Sequence, residues 1–366
     1  MQSAREAVDN LLRKKPADHV PLHDSPWDDT LRKWTAQGMP KNEKGEAVDS
    51  ADHFGFDMAG SGGWFDWVAK RGVSDVIEEN EEWKIVRNGS GAALKWWKNK
   101  SGTPEHIDFR MSSRAIWEKE YRPHLAGEFD RQRLGDLAQA RKDLERRKQQ
   151  NKWVYAGHQF IWENLRASLG DVNMFMALVD DPDWIHDFNR VYTDLYKTAF
   201  RILLEEVGRP DGVWIYEDMG YRDRLFCSPT TLESLIFPYY TEIVEFFHSY
   251  DLPVVLHSCG FQEPMIPLAI KAGFDAINPM EVKAGNDIFK YAEEFGDKLA
   301  FVGGFDARIL ETGDRALIER EVQKFIRGMK KRGARFLYGS DHSVSTNVTY
   351  DAFRHSLEVY REEMMY

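Results

Sequence analysis

Only two cysteines, Cys227 and Cys259, occur in 366 residues. That is too few for a disulfide framework in a chain of this length. It suits a reducing compartment, so the expected location is the cytoplasm. Long apolar runs are also missing. No stretch of about 18 apolar residues exists to form a transmembrane helix, and the opening segment Met1-Gln2-Ser3-Ala4-Arg5-Glu6-Ala7 is charged and has no apolar signal core. Positive charge is in deficit: 49 Lys and Arg face 60 Asp and Glu, for a net charge of −11. A general nucleic-acid binder needs a basic face, so that class is excluded. The basic run from Arg141 to Lys152 is interleaved with Asp143 and Glu145 and reads as a solvated helix face. There is no glycine-rich GxGxxG turn, phosphate loop, GxSxG elbow or HExxH helix. Repeats, low-complexity tracts and Ser/Pro-rich linkers are absent too, so one domain spanning residues 1–366 is expected.

What is present is clearest after residue 210. Short apolar runs at Val213–Tyr216, Pro253–His257, Asp275–Asn278, Leu299–Gly303 and Arg335–Gly339 alternate with segments of helical periodicity. One helix starts at Ser228-Pro229, a cap followed by proline at the first helical position, and is expected to continue through Phe247. Others are expected near 265–271, 287–295, 316–331 and 350–363. Five buried strands alternating with helices predict a parallel sheet covered on both faces. Further strands are expected at Val20–His23, Phe54–Asp57 and Trp153–Ala156. Eight strands close a (β/α)8 barrel of the TIM type. Residues 80–110 interrupt this pattern with a hairpin around Asn88-Gly89, inserted in the N-terminal half and expected to cover part of the barrel mouth. The Arg- and Glu-rich segment 126–150 is expected as a helix on the outside.

In such a barrel the strand C-termini form the active-site face. The five late strands end in Glu217-Asp218, His257-Ser258-Cys259, Asn278-Pro279-Met280-Glu281, Gly303-Gly304-Phe305-Asp306 and Gly339-Ser340-Asp341-His342. Five polar strand ends in succession predict a lined pocket. His257 and Cys259 stand two apart, so in an extended segment they share a side and can share a metal ion such as zinc. Asp306 and His342 are candidates to complete its shell. The bland alternative is a satisfied polar histidine beside a small buried thiol. Glu217, Glu281 and Asp341 are candidates for acid–base work, with helix capping or loop hydrogen bonding as the competing role, strongest for Asp218 and Asp341. Tyr216 and Arg308 are candidate substrate contacts. So is Trp64, which, like Trp67, Trp96 and Trp97, offers a stacking surface or else a core or cross-strand ring.

These segments, in this order and at these intervals, resemble the uroporphyrinogen decarboxylase superfamily, well over 150–366 and loosely over the first 120 residues. The resemblance implies a (β/α)8 barrel with its pocket at the strand C-termini. True uroporphyrinogen decarboxylases carry an Arg-Gln-Ala-Gly-Arg type segment that holds the acidic tetrapyrrole. The corresponding stretch here, Leu22-His23-Asp24-Ser25-Pro26-Trp27-Asp28-Asp29, is acidic. The His-x-Cys of His257 and Cys259 is similar to that of the cobalamin-dependent methyltransferases of the superfamily. Their third zinc ligand is a cysteine near the last strand end, where this chain has Ser340-Asp341-His342. A further branch demethylates methoxylated aromatics and is associated with Glu-x14-Glu-x20-His, which Asp306, Glu321 and His342 match with Asp in first place.

The resemblance therefore implies metal-assisted methyl transfer from a small methylated substrate, such as a methoxylated aromatic, to a corrinoid on a partner protein. No Asp-x-His-x-x-Gly cobalamin pattern is found in the chain itself. The alternatives are a decarboxylase or lyase acting on a small acid, with Asp306, His342 or Arg308 stabilising charge, and a barrel that only binds a ligand.

Overall fold

Short apolar segments bounded by glycine, proline and aspartate form the strands, because so few residues suffice to cross a sheet covered on both faces. The computed structural model describes residues 2–61 and 65–366. Its strands are β1 (Met58–Gly60), β2 (Ser74–Glu79), β3 (Trp83–Asn88), β4 (Ala92–Trp97), β5 (Glu105–Phe109), β6 (Trp153–Gln159), β7 (Gly212–Tyr216), β8 (Val254–His257), β9 (Ala276–Asn278), β10 (Ala300–Val302) and β11 (Phe336–Leu337). Seven form one parallel sheet in the order β1-β6-β7-β8-β9-β10-β11. The other four form a separate antiparallel sheet, β2-β3-β4-β5. The protein is thus an α/β fold with an added antiparallel sheet.

The segment around Leu22 meets both edges of the parallel sheet. The His23 amide donates to the Tyr338 carbonyl at 2.9 Å, the Tyr338 amide to Pro21 at 2.8 Å and the Asp57 amide to Leu22 at 2.8 Å. Side chains alternate along the strands as a pleat requires. Val213, Ile215, Val254 and Leu256 pack outward into the layer shared with the helices. Trp214 and Val255 turn inward, joining Trp153, Ala276, Ala300 and Leu337 around Val8, Leu11 and Leu12 of the N-terminal helix Ala4–Leu12. That helix is tied to segments just before strands, through the Arg5 amide to the Asn151 carbonyl and the Arg5 guanidinium to Asp211 at 2.5 Å. It plugs the N-terminal end of the sheet and leaves the C-terminal strand ends as the free face.

Three expectations need correction. The helix expected through Phe247 is two, Pro229–Leu235 and Phe237–His248. Pro238 has no N–H to continue the ladder, so it sits in the first turn of the second helix. The strand expected at Phe54–Asp57 begins four residues later, because Asp49 caps a short helix Ser50–Phe54 that Gly55 ends at φ 78°. The single hairpin is four strands, with Trp83 opposite Trp97 across β3 and β4. Within the segment 126–150 the helix occupies Leu137–Gln149, capped by Asp136. No helix among the described residues is long and apolar enough to cross a membrane.

Candidate functional site

Parallel register places the ends of β7 and β8 side by side, with Tyr216 opposite His257. Two residues further on, the Asp218 carboxylate accepts the Cys259 amide at 2.8 Å. The two loops then touch backbone to backbone at Gly220 and Gly260. A Cβ on Gly220 would lie 2.4 Å from the Cys259 carbonyl, and one on Gly260 2.5 Å from the Gly220 carbonyl carbon. Gly260 also has φ 79°, so glycine is required there twice over. This approach gathers Asp218, His257 and Cys259 until one ligand atom from each lies within 4.8 Å of the others. His257 Nε2 is 3.5 Å from both Asp218 Oδ1 and Cys259 Sγ.

The rest of the histidine is held from behind. Asn278, at the end of β9, donates its amide Nδ2 to the Val302 carbonyl at 2.7 Å. Its Oδ1 is thereby turned toward His257 Nδ1, 2.5 Å away. Nδ1 must then carry the proton, which leaves the Nε2 lone pair facing Asp218 and Cys259. Burial pushes the Cys259 thiol well above its usual range, and Asp218 and Glu281 add to the shift. A bound cation reverses that balance, because thiolate is the form that ligates. One imidazole, one thiol and one carboxylate suit zinc in a site with three protein ligands and an open position.

His257 also belongs to the wall of a cavity of about 240 Å³ at the strand C-termini. Tyr155, Trp214 and Tyr216 supply rings, as the inward alternation of β6 and β7 dictates. Tyr216 and His257 have ring centroids 5.5 Å apart. His342 joins from beyond β11, and His23 and Asp24 from the segment before β1. His23 packs among Phe56, Tyr155 and Trp214, and burial lowers its pKa to about 4. Burial raises Asp24 to about 6, although Ser25 and Ser340 donate to it.

The profile of the uroporphyrinogen decarboxylase (URO-D) family matches residues 172–363. The chain belongs to the uroporphyrinogen decarboxylase family. No curated protein matches it. A methyltransferase from Methanosarcina mazei shares 14% identity and superposes with a TM-score of 0.69 over 99% of this chain and 99% of that one, a likeness of fold. An Xaa-Pro dipeptidase with methionine bound in its active site (14% identity, TM-score 0.31, 61% of this chain and 56% of that one) is too distant to carry an argument.

In this family member the structure brings together some of the residues expected from sequence and separates others. His257 and Cys259 stand in the three-residue group, but its carboxylate is Asp218, for which capping had seemed the better role. Parallel strands place equal offsets from paired residues side by side, so the Asp218–Cys259 pairing was readable once β7 and β8 were taken as neighbours. His342 lines the cavity and sits beside Trp27, 6.1 Å between centroids, outside the Asp218, His257 and Cys259 group. Asp306 is elsewhere. It caps the helix Ala307–Glu311, pairs with Arg308 at 2.7 Å and, with Glu321, lines a different cavity of about 420 Å³. The Asp306, Glu321 and His342 pattern is therefore split between two cavities, and Arg308 is engaged by Asp306.

Glu217 is fully buried and faces away from the site. Its carboxylate accepts the amides of Phe160, Trp162 and Glu163 at the start of the helix Ile161–Asp180, together with the Tyr240 hydroxyl at 2.5 Å. Asp341 ties two loops together, accepting the Val282 amide at 2.8 Å and the Ala307 amide at 2.9 Å. Glu281 accepts the Gly260 amide at 3.0 Å and pairs with Lys283 at 2.9 Å, which braces the loop carrying Cys259. Trp64 lies outside the described residues. Sequence reasoning missed His23 as a wall residue. Its signal was a lone histidine ending an apolar run, the same signature that marked His257.

Proposed function

We propose that this protein catalyses metal-assisted methyl transfer from a small methylated substrate, of the methoxylated aromatic kind, to a corrinoid carried by a partner protein. The observation that carries this reading is the Asp218, His257 and Cys259 group sharing His257 with a small, ring-walled cavity that has no Lys or Arg among its described lining residues. Asp218, His257 and Cys259 hold zinc in this reading, and zinc supplies Lewis acidity toward the oxygen that bears the methyl group. Asn278 keeps the proton on His257 Nδ1, Glu281 steadies the Cys259 loop, and the rings of Tyr155, Tyr216 and His342 position the substrate and exclude water. The chain is read as one domain whose parallel sheet closes into a (β/α)8 barrel through the strand-like segment at Leu22, which hydrogen-bonds to both sheet edges.

Decarboxylation of a polycarboxylate fits less well. At about 240 Å³ the cavity is smaller than the roughly 300–1,000 Å³ typical of drug-sized ligands, and among its described lining residues there is no Lys or Arg to meet acidic side chains. The deciding experiment is methyl transfer to cob(I)alamin from a panel of methoxylated compounds, with zinc-loaded and chelator-stripped protein in parallel. Formation of methylcobalamin only with the loaded protein is expected. Transfer at the same rate after stripping, or none from any donor, rejects the reading.

A further inference from the structure

The cavity wall carries a charge asymmetry that the methyl-transfer reading does not use. Among the described lining residues Asp24 is the one carboxylate, and none is Lys or Arg. Its two oxygens are held by short-range donors: Oδ1 accepts the Ser25 amide at 2.8 Å, and Oδ2 accepts the Ser340 amide at 3.1 Å and hydroxyl at 2.8 Å. These contacts fix the carboxylate in place. An ionised carboxylate offers about four lone-pair sites, and three are taken, so acceptor capacity remains. Of the other polar groups of the wall, Asn278 and Ser340 are already engaged by protein partners, whereas His23 Nδ1 and Trp214 Nε1 have no partner among the described residues.

A ligand ring in this cavity therefore meets a fixed acceptor of negative character. A carboxylate on that ring would bring a second negative charge beside Asp24 with no Lys or Arg among the described lining residues to pair with it, an arrangement that disfavours a ligand by desolvation and repulsion. A hydroxyl in the same place would donate to Asp24. A site built to receive a hydrogen bond also discriminates against a ligand that lacks the donor. Resting on the methyl-transfer reading for the kind of ring, we infer that Asp24 is a specificity-determining residue that selects neutral methoxylated rings bearing a free hydroxyl over methoxylated aromatic acids. Of the acidic residues in the stretch Asp24 to Asp29, Asp24 alone is in this wall, Asp28 lining another cavity and Asp29 pairing with Ser101.

The test is calorimetric titration of the full-length, zinc-loaded protein at neutral pH with ortho-methoxyphenol, with anisole and with a methoxybenzoate. The phenol is expected to bind about tenfold or more tighter than either competitor. Asp24→Asn keeps the size and an acceptor oxygen, and it is expected to raise methoxybenzoate affinity until the gap narrows to a few-fold. A melting curve confirms that the variant is folded, and Asp24→Ser serves in its place if it is not. Equal binding of methoxybenzoate and phenol by the parent protein overturns the inference, and so does equal binding of anisole and phenol. Binding preference is measured without turnover. A preserved preference with no methylcobalamin formed rejects methyl transfer alone, whereas methyl transfer that proceeds equally well from the acid rejects the role of Asp24 alone.

Discussion

Asn278 Oδ1 stands 2.5 Å from His257 Nδ1, and Asn278 can point that oxygen nowhere else because its amide nitrogen is committed to the Val302 carbonyl. One backbone carbonyl in β10 thereby sets the tautomer of a histidine at the end of β8, across the intervening strand β9. Replacing Asn278 with Leu frees the imidazole to carry its proton on either nitrogen. Zinc affinity, measured by competition with a chromophoric chelator, is expected to fall by about 10–100-fold, the usual cost of losing an outer-shell partner. Asn278→Asp restores an acceptor and most of the affinity. An unaltered affinity in a folded Asn278→Leu protein would show that the tautomer is irrelevant.

Metal analysis separates the two carboxylates proposed for the centre. About one zinc per chain is expected in the parent protein, with loss in His257→Ala, Cys259→Ala and Asp218→Ala. Asp306→Ala should retain the metal, since Asp306 caps another helix and lines another cavity. Loss of zinc in the Asp306 variant with retention in the Asp218 variant would reverse the assignment.

Close approach at the loop junction predicts a stability difference between two glycines. Gly260 and Gly313 both have positive φ, 79° and 66°, but only Gly260 faces backbone atoms within 4 Å of a built Cβ. Gly313→Ala is expected to cost about 1 kcal/mol of strain alone, and Gly260→Ala clearly more, about 2 kcal/mol or greater. Urea unfolding of the two variants checks the order. Gly260→Ala should also lose zinc, because its strain falls on the segment that holds Asp218 against Cys259.

His23 predicts a pH dependence. Burial lowers its pKa from 6.5 to about 4, so between these values the unfolded chain binds a proton that the folded chain does not. The contribution is complete above pH 6.5 and is lost as pH falls toward 4, at no more than roughly 1.4 kcal/mol per pH unit. Asp24 has a raised pKa and acts in the opposite sense, so the readout is a difference. The melting temperature of the parent protein should fall more steeply than that of His23→Phe on going from neutral pH to about pH 5. Parallel pH curves for the two proteins would show that His23 is not buried neutral.

Glu217, Asp341 and Glu281 show why polar strand ends overstate an active site. Each ends or follows a strand on the expected face, yet all three carboxylates are directed to backbone amides of neighbouring loops. Helix N-termini and tight loops leave amide donors that need acceptors, and an aspartate or glutamate meets that need as well as it serves chemistry. A sequence shows the residue type at a strand end but not which donors will surround it.

Strand positions from β7 onward, the helices between them and the inward direction of His257 were legible in the chain itself, because period-two alternation and cap signals are local properties of a few consecutive residues. The hand-over of Cys259 to Asp218, the orientation of Asn278, the arrival of His23 and Asp24 at the cavity and the removal of Asp306 from it were decided by tertiary structure alone. Each depends on which strand lies beside which, and on where two backbones approach closely enough to exclude a side chain. Those are contacts between residues far apart in sequence, and local pattern carries no record of them.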